Sequence, residues 1–517
     1  MHVTRSQWIN LGIFGLFVVL FLHAIEDPDI WYHLTIGRAV FESGTVPAKE
    51  FYVFTRLGQA SEFHEWGFGL LYYLIYSLGG FTGMILANAL LGALTVYLLF
   101  ATAQQRGHSL AAAFIAALVG FWLMEFRFVQ RPENLLYLAL AATLFCMEKY
   151  RSKGDWRWLG IIPLIGFLLS QCHPSSLMLV LVMGTYLVEA IARRRPDKRQ
   201  ALQLVGAILL TAAVALLNPY GLKQLILPIS FSLQTELLNS ITEFLPALAT
   251  SYAYRFVIGV LLVGFCLLGV RRRFSLAEWL MLIAFAFLAY QHARNIALLG
   301  IALVLPLATA IEQCLKPRAV QFATACLCLV AIAFDSSQQH RLSLDVDPTG
   351  ASLKGAETIA RLTPAGNILN FYHLGNYLAW RLYGTHKVLI DGRNFQDNFS
   401  LGLHDDLLSA RGNWRQLLDR YGIVAIVTPV TLPYSGEFVP LVFKLANDPE
   451  WALVDREPAG LVFVRRSAAP KRDWLPEQEI WLQAKEELTM NLAYYPDSGS
   501  SRQSLAEVKR QLAQPLP

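Results

Sequence analysis

Twelve apolar runs mark the first two thirds of the chain, near residues 9–25, 69–79, 83–104, 109–124, 135–147, 158–171, 175–192, 201–217, 256–270, 276–290, 296–312 and 318–334. Most approach the roughly 20 residues that an α-helix needs to cross a bilayer. The run at 69–79 is too short to cross and is predicted to be an interfacial helix inside a first outer loop, residues 26–82. About eleven spans remain. From about Gly350 the pattern changes to short β-prone runs at 366–371, 387–391 and 423–428, separated by helical stretches at 374–381 and 414–420. Residues 451–455 and 461–465 read as a hairpin around Glu457-Pro458-Ala459-Gly460. Residues 477–490 and 501–513 read as polar helices. The expected organisation is a polytopic α-helical membrane domain over 1–335, a small α/β domain over 350–470 and a helical segment over 471–517.

Composition supports this division. With 55% hydrophobic and 16% charged residues among 517, the chain does not fit a soluble multidomain protein. No small-residue cleavage site follows the first apolar run, so that run is expected to be retained as a span. Basic clusters fall in alternate loops: Arg5; Arg106; Lys149, Arg151, Lys153 and Arg157; Arg193, Arg194, Arg195, Lys198 and Arg199; Arg271, Arg272 and Arg273; Lys316 and Arg318. The positive-inside rule puts these loops and the N-terminus in the cytoplasm, and the region after Phe334 outside. The expected location is therefore the cytoplasmic (inner) membrane, with many passes and an extracytoplasmic C-terminal domain. The lipid bilayer is an expected partner and nucleic acid is not. Six cysteines lie in or beside apolar runs without metal-ligand spacing and are expected to be core thiols.

The opposite loops carry the chemistry. Glu26-Asp27-Pro28-Asp29-Ile30-Trp31-Tyr32-His33 follows the first apolar run directly, placing three carboxylates and an imidazole at a membrane boundary, where charge is costly. The remaining outer loops contribute His64-Glu65, Arg127, Gln130-Arg131-Pro132-Glu133, His173, Asn218-Pro219-Tyr220-Gly221, Lys223 and Gln291-His292-Ala293-Arg294-Asn295. Asp27 and Asp29 are the candidate catalytic carboxylates, since a nearby base accelerates transfer to a hydroxyl or amide by roughly a hundred- to ten-thousand-fold. Arg131 and Arg294 are candidate phosphate ligands, because guanidinium groups match phosphate bidentately. Glu26, His33, His64, Glu65 and His173 complete the expected substrate-binding set. Each also has a structural reading: Glu26 as a solvated helix end, Trp31 and His33 as interfacial anchors, Glu65 as a helix-dipole partner and His173 as a satisfied helix terminus. Asp391-Gly392-Arg393 reads first as a strand-end turn with an Asp–Arg pair.

These residues carry a resemblance. Asp27-Pro28-Asp29, Trp31-Tyr32-His33-Leu34 and Gly37-Arg38 resemble the opening motif of a group of bacterial membrane proteins within the GT-C superfamily, whose members are polytopic glycosyltransferases using polyprenyl-phosphate-linked sugars. His64-Glu65-Trp66, Arg131-Pro132, His173, Asn218-Pro219-Tyr220-Gly221, Arg294-Asn295 and Asp391-Gly392-Arg393 extend the resemblance through residues 20–395. It implies a GT-C-like fold and sugar transfer from a polyprenyl-phosphate donor to an extracytoplasmic glycolipid, polysaccharide or protein. It also leaves open a divalent cation, Mg or Mn, held by Asp27 or Asp29. The Trp-Trp-Asp motif by which oligosaccharyltransferases read acceptors is absent, which argues against asparagine sequons as acceptors. A transporter or flippase and a non-catalytic envelope scaffold are the alternatives. The first would need paired broken helices in related halves, and no such repeat is present.

Overall fold

The computed structural model describes all residues except 1–3, 194–196, 234–240, 271–273, 339–342, 348–350, 394–396, 434 and 514–517. Arg194, Arg195, Arg271, Arg272 and Arg273 of the basic clusters lie outside the described residues, as do Gly350 and residues 514–517. The chain forms two compact units, Met1–Ile25 with His64–Asp345, and Glu26–Phe63 with Val346–Pro517.

The first unit is helical. Among the described residues, five of its stretches are long and apolar enough to cross a membrane: Trp66–Gln105, Leu110–Arg127, Pro174–Ala192, Ala293–Cys314 and Arg318–Asp335. Shorter apolar helices cover Gln7–Leu20, Arg157–Cys172, Ala253–Leu267 and Leu276–Gln291. These helices mark a multi-pass membrane protein. The helix Trp66–Gln105 is interrupted at Gly80 (φ 59°, ψ −153°), a conformation that only glycine adopts without strain. The break falls between the two apolar runs at 69–79 and 83–104.

The first helix, Arg5–Leu20, ends before the expected Ile25. Past the cap the backbone finds partners elsewhere, with the Ile25 N–H donating to the Asp345 carbonyl at 3.0 Å. Pro28 therefore does not terminate this helix. It sits at the N-cap of the next helix, Asp29–Ser43, where a missing N–H leaves nothing unsatisfied. That second helix had no clear signal in the apolar pattern.

Small residues permit a close helix crossing. A Cβ at Gly120 would lie 2.5 Å from Val304 Cγ2, and one at Gly300 would lie 3.0 Å from Leu123 Cβ and Met124 Cγ. The helices Leu110–Met124 and Ile296–Cys314 approach through these glycines. Ionic knots tie the helix ends. Arg106 donates to Glu148 at 2.7 and 2.8 Å and to Glu278, while Tyr186 donates to Glu148 at 2.7 Å. Glu278 also closes a capping box, accepting the Ser275 N–H at 2.8 Å. The fully buried Arg255 pairs with Glu125 at 2.7 Å and Asp335 at 2.9 Å, its guanidinium lying against Trp122 and Phe126. All six cysteines are free; Cys146 and Cys266 are buried, whereas Cys314 and Cys326 are exposed and so are not core thiols.

The second unit is a mixed α/β domain. Its strands β1 (Gly366–Asn370), β2 (His386–Val388), β3 (Ile423–Thr428), β4 (Trp451–Glu457) and β5 (Gly460–Arg465) form one sheet in the order β2-β1-β3-β5-β4. β1 lies parallel to β2 and β3, and β5 pairs antiparallel with β3 and β4. Leu369, Ile390, Ile426, Leu461 and Phe463 fill its core. The expected strands and the 451–465 hairpin are present; the helices Leu353–Leu362, Asn398–Leu408 and Pro440–Ala446 were not anticipated. Residues from the loop after the first helix complete the domain. The Tyr52 carbonyl accepts the Val388 N–H at 2.9 Å, and Val53 bridges Val388 in parallel.

Candidate functional site

The acidic segment is built into the second unit. The Asp27 carboxylate accepts the Asp29 N–H at 2.9 Å, so one acid fixes the backbone that carries the other. Asp29 opens the helix Asp29–Ser43, whose N-terminal dipole favours its charge. Trp31 is buried edge-on against Tyr377 at 5.0 Å, which is core packing and not an interfacial anchor. His33 is buried on the same helix, and Glu26 is exposed.

Beside Asp29 stands the turn after β2. The Asn376 side chain donates to the Pro28 carbonyl at 3.2 Å and to Asp29 Oδ1 at 3.5 Å, and accepts the Gly392 N–H at 3.3 Å. Tyr372 donates its hydroxyl to the Gly392 carbonyl at 3.1 Å. Burial raises the Tyr372 pKa, with Asp391 and Asp29 adding to it, so the hydroxyl keeps its proton. Asp391 and Arg393 form the pair read from sequence, with nitrogen–oxygen distances of 2.6 and 2.9 Å. Arg393 also reaches Glu50 at 2.9 Å and lies over the Tyr52 ring at 4.5 Å. Burial lowers the Arg393 pKa, but Asp391, Tyr52 and Glu50 outweigh it and keep the guanidinium charged. Glu50 in turn accepts the backbone N–H groups of Phe51, Tyr52 and Val53 at 3.0–3.2 Å. Arg393 is thus a structural residue that fastens the 50–53 segment.

The expected phosphate ligands gather in the first unit. Arg131 donates to Glu243 at 2.7 Å, and Arg294 donates to Glu133 and, at 3.4 Å, to Glu243. Arg127 completes the cluster, bonding Glu133 at 2.8 Å and Glu243 at 2.7 Å. Three guanidinium groups here share two carboxylates. Burial opposes the charge on Glu243, but Arg127, Arg131 and Arg294 hold its pKa well below the usual carboxylate range. His173 adjoins the cluster as the cap between two helices, its Nδ1 accepting the Ser175 N–H at 3.2 Å. Burial, aided by Arg294, lowers its pKa to about 4, so it is neutral. His64 packs edge-on to Tyr220 at 5.1 Å, and its carbonyl accepts from Gln224 at 3.2 Å. Glu65 occupies the N-cap position of the helix that Trp66 begins, without a side-chain capping bond.

Of the expected residues, Glu26, Asp27, Asp29 and His33 lie in the second unit, and His64, Glu65, Arg131, His173 and Arg294 lie in the first. Sequence reasoning missed Glu50, Glu243, Tyr372 and Asn376. Of these only Glu243 carried a signal, as one of two acids in the loop 218–255. Among the described residues no group of three or more His, Cys, Asp or Glu could hold a metal ion. Asp27 and Asp29 alone do not make a complete metal shell.

The sequence profile of the dolichyl-phosphate-mannose-protein mannosyltransferases matches residues 63–218. No curated protein matches the chain in sequence. In three dimensions the chain is similar to the archaeal oligosaccharyltransferase AglB from Archaeoglobus fulgidus in complex with an inhibitory peptide and a dolichol-phosphate. The TM-score is 0.54 at 11% identity, covering 94% of this chain and 78% of that one. An Archaeoglobus fulgidus oligosaccharyltransferase in complex with Zn and sulfate matches with TM-score 0.54 and 11% identity, over 98% of this chain and 86% of that one. ArnT from Cupriavidus metallidurans bound to undecaprenyl phosphate matches with TM-score 0.53 and 14% identity, over 90% of this chain and 100% of that one. Along most of the chain the fold is thus shared with this oligosaccharyltransferase and with ArnT.

Proposed function

We propose that the protein is a membrane glycosyltransferase that moves a sugar from a polyprenyl-phosphate-linked donor to an acceptor outside the cytoplasmic membrane. The observation that carries this reading is Asp29, on the first helical turn after the first apolar helix, fixed by Asp27 and Asn376. Asp29 takes the proton of the acceptor hydroxyl or amide as it attacks the anomeric carbon. The bond from that carbon to phosphate breaks, and polyprenyl phosphate leaves. Arg131 and Arg294 are assigned to the phosphate, while Glu26, His33, His64, Glu65 and His173 are assigned to donor and acceptor contacts. The reading includes about eleven spans, a cytoplasmic N-terminus and an extracytoplasmic second unit in the inner membrane.

The test compares lipid-linked sugars and surface glycans by mass spectrometry in a strain lacking the gene. Wild type should restore a missing sugar; Asp29→Asn should not, and Asp27→Asn should restore little. Full rescue by both variants and by the double variant would remove the acidic segment from the mechanism.

A further inference from the structure

We infer that Asn376 is a positioning residue for Asp29, so that the domain distant in sequence sets the geometry of the reacting carboxylate. The inference rests on the assignment of Asp29 above. Asn376 is 1% exposed and its amide is used from both ends. The Nδ2 group holds the Pro28 carbonyl and reaches Asp29 Oδ1, and the Oδ1 atom holds the Gly392 N–H. The far side of the clamp is also fixed. Gly392 leaves no room for a side chain, since a Cβ there would meet Asn376 Nδ2 at 2.9 Å and Asp29 Oδ1 at 3.1 Å. The Gly392 carbonyl is held by Tyr372, and Arg393 anchors Asp391 at the head of the turn. The half-buried Asp29 side chain is therefore flanked by Asn376 on the helix Gly375–Arg381 and by the Gly392 backbone. An amide serves here because one face must donate and the other accept, which neither a carboxylate nor an alkyl group does.

The experiment uses membranes from the deletion strain carrying the full-length chain. Donor and acceptor come from that strain's own total lipid extract, and product is quantified by mass spectrometry. Asn376→Asp keeps the acceptor for Gly392 and removes both donors. Gly392→Ala presses on the same clamp from the other side and needs no unusual backbone conformation. Both variants should lower the rate at saturating extract by roughly ten- to a hundredfold, the effect of a misplaced reacting group. The amount of extract giving half-maximal rate and the thermal midpoint should stay near wild type. An unchanged saturating rate in either variant would overturn the proposal, as would a loss that only tracks the fraction of folded protein. If Asn376→Asp does not accumulate, Gly392→Ala decides. Wild-type activity in Asp29→Asn would overturn the functional reading itself, whereas an inactive Asp29→Asn beside fully active Asn376→Asp and Gly392→Ala would overturn only the positioning role.

Discussion

At the residue scale the chemistry is organised by carboxylates that hold other groups in place. Asp27 fixes the Asp29 backbone, Glu50 gathers three consecutive N–H groups, and Glu133 and Glu243 share three arginines. Removing one partner of a buried ion pair typically costs about 3–5 kcal/mol, because the remaining charge stays buried. Glu133→Gln, which uncouples Arg127 and Arg294, should therefore lower the thermal midpoint far more than Arg38→Gln at an exposed helical pair. Equal melting of the two variants would show that the Glu133 cluster does not stabilise the fold. Asp27 and Asp29 were legible in sequence because charge abutting an apolar run is conspicuous. Glu50 and Asn376 were not, since the pairing of Glu50 with Arg393 and the hold of Asn376 on Pro28 and Asp29 join positions about 350 apart.

At the scale of elements, the apolar helices and the strands followed from periodicity, while four amphipathic or short helices of the second unit, the element ends and the crossings between helices did not. Helix ends depend on partners such as the Asp345 carbonyl that receives Ile25, and an apolar run contains no record of them. Crossing distance depends on which glycines face each other. Gly120→Leu would drive a side chain into Val304 and the Gly300 backbone. Overpacking of this kind costs about 1–3 kcal/mol, so the variant should melt earlier in detergent. Gly206→Leu, where a Cβ meets nothing within 4 Å, serves as the control and should leave the midpoint unchanged. Comparable losses in both would remove close packing as the explanation.

At the scale of the whole molecule, topology and acid response are open to measurement. Reporter fusions after Arg273 and after Asp335 should report the cytoplasm and the exterior respectively; the reverse result would invert the assignment of the acidic segment to the outer face. The His173 pKa falls to about 4 in the folded chain, below the ordinary histidine value near 6.5. The unfolded chain therefore takes up a proton between those values while the folded chain does not, and stability should fall as pH drops from about 6.5 to about 4. Glu243, whose folded pKa is depressed, contributes stability above the ordinary carboxylate range and loses it as pH falls below about 4.5. A melting series should show both losses, and His173→Gln should flatten only the upper one; an unchanged slope would exclude His173 as its source. The discontinuity of the second unit has a consequence for synthesis. Residues 64–345 separate its two segments, so at about 5–20 residues per second the ribosome needs roughly fifteen seconds to a minute before Asn376 can meet Asp29. During that interval the nascent chain carries its acidic pair without the clamp, and a product truncated before the second segment would insert in the membrane but remain inert. On the proposed roles of Asp29 and Asn376, activity would begin only after translation has passed the segment that carries Asn376.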